Sequence, residues 1–378
     1  MQKLGVGIIG CGNISTSYLR LAPNFKALEV RKVADINMAA AEARAAEFNV
    51  KAVSIEDLLA ADDIDVIVNL TIPDAHYAVS KRILEAGKHA YSEKPMVLTL
   101  DEGEDLRAVA LAKGLRVGTA PDTWMGGAHQ LARKMIDEGV LGKIVAGSAH
   151  VMSHGMEMWH PNPDFFFLPG AGPMLDLGPY YVTNLVQLIG PVKRVAALAN
   201  SATPTRTITT PGPRVGEQIP VKTPTNIHAL LEFCNGATIT LSTSWDVWGH
   251  RHPNMDLYGL DGSIYVPDPN FFGGEVKTVD STGAEKIAAA WDHPFGVGNQ
   301  DHSKLGKIAN YRTAGLADMA QALVDGRPHR CSLELGVHVT DVMTSVLLAG
   351  ETGKWVEMTT SCDRPAALGP DEARALLV

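Results

Sequence analysis

A glycine-rich turn near the start of the chain has residue types and a spacing that can do chemistry. Residues 10–15 read Gly-Cys-Gly-Asn-Ile-Ser and follow an apolar, β-branched run. Gly10 permits a tight turn, Gly12 lets the backbone approach a pyrophosphate, and Asn13 and Ile14 open a helix whose N–H groups favour an anion. Serine replaces the third glycine of this fingerprint. The pattern predicts a dinucleotide-binding loop, with an ordinary tight turn as the alternative.

Asp35 is the second residue whose position indicates cofactor chemistry. It ends the strand predicted over residues 28–34 and follows Gly12 by 35 − 12 = 23 residues. A carboxylate there can accept hydrogen bonds from the adenosine ribose hydroxyls and repels a 2′-phosphate. The sequence therefore predicts NAD rather than NADP. The alternative is that Asp35 only caps the helix that begins at Met38.

Lys94, Asp176 and Tyr180 form a candidate proton-transfer group. Lys94 follows a predicted parallel strand, and the carboxyl ends of such strands line the ligand crevice. Asp176 and Tyr180 are four residues apart on one predicted helix and share a face. A phenol with a pKa near ~10 is a poor base at neutral pH unless a cation stabilises its phenolate. We expect Lys94 to hydrogen-bond a reacting hydroxyl, Tyr180 to relay its proton and Asp176 to orient Lys94 or the substrate. Simple packing of Tyr180 and Tyr181 is the alternative.

Two domains must position these residues. Strands and helices alternate through residues 4–120, which predicts a doubly wound α/β fold with a parallel, Rossmann-type sheet over residues 1–122. Residues 123–378 carry the pattern of an α+β domain with a large, open, mainly antiparallel sheet. Residues 203–224 are rich in Thr and Pro and are predicted to form a long loop. An open sheet face needs covering, so we expect a homodimer or homotetramer.

Longer motifs resemble one known family. They are Gly-x-Gly at residues 10–12, Asn-Leu-Thr-Ile-Pro-Asp-Ala-His at 69–76, Glu-Lys-Pro at 93–95, Gly-Pro-Met-Leu-Asp-Leu-Gly-Pro-Tyr at 172–180, Gly-Pro-Val at 190–192 and Asn-Tyr-Arg at 310–312. Together they resemble the glucose–fructose oxidoreductase/inositol dehydrogenase (Gfo/Idh/MocA) family over nearly the whole chain. The glycine loop is generic, whereas Glu-Lys-Pro combined with the segment around Asp176 is specific.

The resemblance implies an NAD(P)-dependent dehydrogenase that acts on CH–OH groups of sugars, sugar derivatives or polyols. It makes Lys94 and Asp176 the matching catalytic residues. Tyr180 stands where most members carry an acid/base histidine, and Thr183 stands where a second carboxylate is usual. The implied cofactor-binding residues beyond Gly10, Gly12, Asn13, Ile14 and Asp35 are Thr71, Pro73, His76, Glu93 and Lys94.

Polar and aromatic residues that follow later strands or precede a late helix are candidates for substrate contact. They are His154, Trp159, His160, Trp245, Arg251, Tyr311 and Arg312. Tryptophan can stack on a sugar ring, although a surface or structural role is an equal alternative for each residue. His250-x-His252 and the pair His150/His154 lack a carboxylate at ligand spacing, so we expect no metal site.

Composition limits the remaining classes of protein. The 378 residues are 46% apolar and 20% charged, the balance of a globular protein. A net charge of −9 argues against nucleic acid and anionic membrane surfaces as partners. No apolar run approaches the ~20 residues that cross a bilayer. The four cysteines are far apart, as expected for reduced thiols in the cytoplasm.

Two other functions fit the same motifs. An NAD-dependent glycoside-cleaving enzyme would oxidise its substrate transiently and release a sugar without net NADH. A non-catalytic NAD-sensing protein would bind the cofactor without turnover, but it would have no need of Lys94 and Asp176.

Overall fold

A computed structural model describes residues 3–378 of the chain. The strands are β1 (Leu4–Ile9), β2 (Leu28–Ala34), β3 (Lys51–Ala52), β4 (Val66–Asn69), β5 (His89–Ser92), β6 (Val117–Thr119), β7 (Ile144–Met152), β8 (Val192–Asn200), β9 (Thr205–Thr207), β10 (Gln218–Pro220), β11 (Asn226–Phe233), β12 (Thr238–Ser244), β13 (Met255–Gly259), β14 (Gly262–Val266), β15 (Lys277–Asp280), β16 (Glu285–Ile287), β17 (Gln300–His302), β18 (Gly306–Ile308) and β19 (Val356–Glu357). The helices are α1 (Ser15–Leu21), α2 (Met38–Phe48), α3 (Ile55–Leu59), α4 (Pro73–Glu85), α5 (Leu100–Lys113), α6 (Gly127–Asp137), α7 (Gly172–Ile189), α8 (Ala314–Asp325), α9 (Leu333–Thr352) and α10 (Pro370–Leu376).

A six-stranded parallel sheet forms the centre of the first compact unit. Its strand order is β3-β2-β1-β4-β5-β6, the order of a dinucleotide-binding Rossmann fold. β1 and β4 are apolar along almost their whole length because helices cover both faces of the sheet. The strand order reverses between β1 and β4, and ligands of such folds bind at the carboxyl ends next to that point. The prediction of an α/β Rossmann sheet is confirmed.

A nine-stranded sheet forms the second unit. Its order is β16-β15-β14-β13-β7-β12-β11-β8-β19, and only the pair β7 and β12 runs parallel. The helix α7 packs on β7, β11 and β12. β11 alternates buried and exposed residues, as expected when one face of a sheet is covered and the other is open. This large, mainly antiparallel sheet is the predicted α+β fold.

The sequence did not predict β8, β9 and β10 of this second unit, nor the short strands β15, β16 and β19. β8 reads Val-Lys-Arg-Val-Ala-Ala-Leu-Ala-Asn, whose alanines favour a helix, but it pairs with β11 over eight residues. β9 and β10 form a two-stranded ribbon inside the loop predicted over residues 203–224. Pairing with distant residues overrides weak local preference in both cases.

The compact units are grouped differently from the two predicted domains. Residues 3–127, 292–340 and 365–378 form the first unit, and residues 128–291 and 341–364 form the second. Residues 292–340 group with the Rossmann sheet because α8 packs on β6 and Thr119 N donates to Cys331 O at 3.0 Å. A single boundary at residue 122 cannot describe a chain whose residues 292–340 and 365–378 pack with the first unit again.

One helix of residues 3–378, α9, is long and apolar enough to cross a membrane by length and composition. Of its most apolar stretch, 72% is buried within the fold, which is the behaviour of a core helix. Polar residues such as Glu334, His338 and Asp341 interrupt the segment, so it contains no long continuous apolar run.

Candidate functional site

The glycine loop and Asp35 lie together at the carboxyl edge of the Rossmann sheet. Gly10 has a φ of +102°, and a Cβ there would meet Leu70 O at 2.5 Å, so no other residue fits. A Cβ on Gly12 would meet nothing within 4 Å, so this exposed part of the loop leaves room for a ligand. The Asp35 carboxylate accepts from Cys11 N at 2.7 Å and from Asn37 N at 2.8 Å. Asp35 therefore holds the loop and keeps further acceptor capacity on both oxygens.

These residues fit an adenine dinucleotide. Asn13 is exposed and Ile14 is partly exposed at the start of α1, so both can face a ligand. Burial, and then the Asp35 carboxylate, raise the pKa of the neighbouring Cys11 thiol to about 11, which favours the protonated thiol at neutral pH. The predicted cofactor residues Gly10, Gly12 and Asp35 are thus brought to one place by the fold.

His76 supports two loops at this edge from inside the fold. Its side chain is 1% exposed, with Nδ1 2.7 Å from Pro95 O and Nε2 3.0 Å from Thr71 O. Burial lowers the pKa of the imidazole, and the two carbonyls oppose that change. His76 was predicted to bind the cofactor, but its burial leaves no surface for direct contact. It fixes Thr71 and Pro95 instead, while Pro73 begins α4 and is partly exposed.

Glu93 and Lys94 follow β5, next to the His76-supported loop. Glu93 Oε1 accepts from the Tyr18 hydroxyl at 3.0 Å, and Oε2 accepts from Lys94 N at 3.0 Å. The Glu93 carboxylate therefore orients the backbone of Lys94. Lys94 itself is partly exposed, as a residue that contacts a ligand must be.

The second unit presents Asp176 and Tyr180 on α7, a helix that is buried on almost all sides. Every other residue of α7 is buried except Leu177. The partly exposed strip contains Asp176, Leu177 and Tyr180, which is the face predicted from their spacing. Tyr181 is 1% exposed, and its hydroxyl donates to Asp268 and accepts from Asn254. Tyr181 is therefore a packing residue, which was the alternative considered for both tyrosines. Thr183 is also buried.

Two predicted substrate residues have structural roles. Trp245 is fully buried in a cluster with Met156, Phe167, Ile208 and Ile219, so it cannot contact a substrate. Tyr311 is 8% exposed, donates to Val297 O at 3.1 Å and stacks on a buried phenylalanine. Residue type and position next to a predicted element suggested both residues, and neither distinguishes a core aromatic from an exposed one.

The other substrate candidates retain an accessible surface. Trp159 is 62% exposed and contacts the ring of His160 edge to face. His154 stacks on Trp248 with ring centres 3.7 Å apart, and Trp248 is 78% exposed. Arg251 is exposed and Arg312 is partly exposed.

A buried ionic cluster supports the His154 and Trp248 stack. Arg206 of β9 contacts the carboxylates of Glu157 and Asp246, and His154 Nε2 lies 3.6 Å from Glu157 Oε1. Arg206 and Glu157 are 8% and 3% exposed. The cluster fixes three segments that are distant in sequence, and no local motif could have revealed it.

Two histidines close to the nine-stranded sheet stack on each other. His150 stacks on His252 with ring centres 4.2 Å apart. Burial is the main cause that lowers the pKa of His150 to about 4, and the charges of neighbouring histidines lower it further. Among residues 3–378 no group of three His, Cys, Asp or Glu side chains could hold a metal ion.

Comparison with protein families decides the identity of the fold. Residues 4–120 match the family model described as "Oxidoreductase family, NAD-binding Rossmann fold", and residues 129–265 match "GFO/IDH/MocA C-terminal domain". The chain belongs to the Gfo/Idh/MocA family. It is therefore an oxidoreductase with an NAD-binding Rossmann domain, as the motifs predicted.

Two similar curated proteins are named as a dehydrogenase and an oxidoreductase. The chain is 23% identical to levoglucosan dehydrogenase of Pseudarthrobacter phenanthrenivorans over 389 aligned positions, which cover 95% of this chain and 99% of that protein. It is 31% identical to an uncharacterised oxidoreductase of Schizosaccharomyces pombe over 164 residues, 42% of this chain and only 43% of that protein.

Solved structures share the fold over nearly the full length. Levoglucosan dehydrogenase in its apo form has a TM-score of 0.82 at 22% identity, covering 96% of this chain and 100% of that one. Its complex with NADH has a TM-score of 0.80 at 20% identity, covering 95% and 100%. Aldose–aldose oxidoreductase from Caulobacter crescentus, complexed with glycerol, has a TM-score of 0.74 at 20% identity, covering 94% and 100%.

Proposed function

We propose that this protein is an NAD-dependent dehydrogenase that oxidises a secondary alcohol of a cyclic sugar, sugar derivative or polyol, or reduces the corresponding ketone. The observation that carries the proposal is the exposed strip of α7. A helix buried everywhere else leaves Asp176 and Tyr180 accessible beside a single leucine. A proton relay needs ionisable groups that a substrate can reach, and Asp176 and Tyr180 meet that requirement on the partly exposed strip.

The chain's own residues supply proton transfer and orientation. When bound, NAD provides the nicotinamide ring that accepts the hydride. Lys94 donates a hydrogen bond to the hydroxyl oxygen and stabilises the negative charge that develops there. Tyr180 accepts the hydroxyl proton and passes it to solvent, and Asp176 orients a second substrate hydroxyl.

The preference for NAD over NADP rests on Asp35. Its carboxylate is fixed by two backbone N–H groups and retains acceptor capacity for the ribose hydroxyls. A 2′-phosphate would meet this negative charge at close range.

A carbohydrate as substrate is supported by the aromatic surface of the second unit. Trp248 is largely exposed beyond its stack on His154, and His154 Nε2 lies 3.6 Å from Glu157 Oε1 of the buried Arg206 cluster. Flat, rigid indole rings suit the apolar faces of sugar rings. The full-length relative named levoglucosan dehydrogenase acts on a substrate of this chemical class.

A screen with a matched lysine control tests the proposal. The wild-type protein is assayed for NADH formation with aldoses, inositols and anhydrosugars, using NAD and NADP. Lys94→Ala is expected to lower kcat by roughly 100-fold, the usual contribution of a positioned proton-transfer group, with little change in NADH affinity. Lys88→Ala is the control, since Lys88 precedes the same strand at its amino end and donates to Ala61 O. Equal turnover of Lys94→Ala and wild type contradicts the assignment.

A glycoside-cleaving activity is the second candidate. It is favoured by 27% identity over 161 residues to a protein of Shewanella baltica named glycosyl hydrolase family 109 protein, covering 39% of this chain and 35% of that protein. Release of a free sugar from a nitrophenyl glycoside with no net NADH would favour this activity. Binding of NADH without turnover of either kind would favour a non-catalytic role.

A further inference from the structure

A residue in a strained backbone conformation precedes α8. Thr313 has a φ of +98° and a ψ of −5°, in the left-handed region that β-branched residues rarely adopt. Its side chain is fully buried. Such a conformation persists only where the surroundings hold it, and it is found preferentially at functional sites.

Asp122 holds this turn from a point 191 residues earlier in the chain. Its Oδ2 accepts from Thr313 N at 2.9 Å and from Gly315 N at 3.0 Å. Gly315 fits so tightly that a Cβ would lie 2.3 Å from the Tyr91 hydroxyl and 2.9 Å from the Asp122 Cβ. Asp122 is 3% exposed, and burial raises the pKa of its carboxyl to about 6. The two N–H donors and Arg312 act in the opposite direction and lower this pKa. The carboxylate therefore serves the turn and does not face solvent.

The turn carries Arg312 between two anchored peptides. On one side is Thr313, and on the other is Asn310, which is 3% exposed. The Asn299 side-chain amide holds the Asn310 backbone: Asn299 Nδ2 donates to Asn310 O and Asn310 N donates to Asn299 Oδ1, both at 2.8 Å. Arg312 N and Nη1 both donate to Asn310 Oδ1, at 3.3 and 3.4 Å. The position of the Arg312 backbone is thus set from both ends, although its side chain is partly exposed.

The location of Arg312 places it on the substrate side of the first unit. Its guanidinium and the Glu93 carboxylate both act electrostatically on Asp122, so all three lie near the ends of β5 and β6. Asp35 lies at the end of β2, on the other side of the switch point. Since the two halves of a Rossmann sheet take the two halves of a dinucleotide, the β5–β6 end is where the reacting group and the substrate belong.

We propose that Asp122 is a positioning residue, which holds Thr313 in its left-handed conformation and thereby places Arg312 to bind oxygen atoms of the substrate. The proposal rests on the dehydrogenase function proposed above. A guanidinium offers several N–H donors in one plane, which suits vicinal hydroxyls or a carboxylate on the substrate.

A double-mutant cycle tests whether Asp122 acts through Arg312. With the best substrate of the screen, Arg312→Ala and Asp122→Ala are each expected to raise KM about 10-fold or more, with NADH affinity within about twofold of wild type. In the Arg312→Ala background, Asp122→Ala is expected to add less than about twofold, because the group it positions is gone. Multiplicative losses in the double variant overturn the proposal.

Backbone strain gives a second, independent test. Thr313→Gly in the Asp122→Ala background is expected to recover most of the lost KM, because glycine adopts a positive φ without an anchor. Asp122→Asn keeps an acceptor oxygen for both N–H groups and is expected to stay close to wild type. No recovery with glycine contradicts the role assigned to Thr313.

Amide hydrogen exchange measures the turn without any substrate. Asp122→Ala is expected to speed exchange at Thr313 and Gly315 by at least about 10-fold, and Asp341→Ala is the matched control. Asp341 Oδ2 likewise accepts two backbone N–H groups, from Thr359 and Thr360 at 2.9 Å each. Unchanged exchange in Asp122→Ala overturns the proposal. If no substrate is turned over, the proposed function fails, while the exchange result still decides whether Asp122 holds the turn.

Discussion

The sharpest test of the cofactor site compares two carboxylates at opposite ends of β1. Asp35 accepts from Cys11 N at 2.7 Å at the carboxyl end, and Asp65 accepts from Gly5 N at 2.7 Å at the amino end. Each carboxylate therefore accepts one charge-assisted hydrogen bond from a backbone N–H group. Gly5 lies within β1, and Cys11 lies in the turn that follows it. Removing either acceptor is expected to lower the free energy of unfolding by about 1–3 kcal/mol.

Only Asp35 is expected to affect the cofactor. A charge-assisted hydrogen bond to a ribose hydroxyl contributes about 1.5–3 kcal/mol, which corresponds to about 10- to 150-fold in Kd. Asp35→Ala should therefore weaken NADH by that factor and weaken NADPH much less, because the repulsion of the 2′-phosphate is lost as well. Asp65→Ala should leave both affinities within about twofold of wild type.

Fluorescence titration with NADH and NADPH measures the affinities, and urea unfolding measures stability. The reasoning is refuted if Asp65→Ala weakens NADH as much as Asp35→Ala does, since the loss would then come from general destabilisation. It is also refuted if the ratio of the two cofactor affinities is the same in Asp35→Ala as in wild type.

Three further predictions concern the second unit. Tyr180→Phe is expected to lose most turnover while its free energy of unfolding stays unchanged. Tyr181→Phe should keep turnover and lose stability, because the Tyr181 hydroxyl is hydrogen-bonded to Asp268 and Asn254. Steady-state kinetics and urea unfolding distinguish the two variants. Burial lowers the pKa of His129 from 6.5 to about 4. The neutral imidazole therefore contributes about 3 kcal/mol to the free energy of unfolding above pH ~6.5, and this contribution is lost as the pH falls towards 4. A urea midpoint that falls just as steeply over this pH range in His129→Gln contradicts the assignment. Leu198 and Leu230 are 74% and 50% exposed on the open sheet face, so a homo-oligomer assembled there should dissociate when both are changed to Asp, as measured by light scattering; an unchanged mass excludes that face.

The first 120 residues could be predicted well because their signals are local. Buried parallel strands are short apolar runs, and the turns between them require glycine, proline or a polar cap at defined positions. β2 has the bounds predicted from the sequence, residues 28–34. Gly10 and Asp35 were recognised for the same reason, since each stands directly at the end of a strand.

Site residues that depend on packing were not predictable in this way. Trp245 and Trp248 are three residues apart, yet one is fully buried and the other is 78% exposed. His76 belongs to the motif that suggested a cofactor contact, but it bonds the backbone of Thr71 and Pro95 from within the fold. Burial depends on which elements cover a side chain, and spacing along the chain carries little information about that.

The sequence by itself determined the class of fold, the family and the residue types available for hydride and proton transfer. These follow from patterns that span a few residues, whose physical causes are backbone conformation and side-chain chemistry. Only the tertiary structure decided that Asp122 anchors Thr313 and that Arg206 joins Glu157 to Asp246. Such pairs form because the folded chain removes both partners from water together, and each polar group must then find its partner wherever the topology places it.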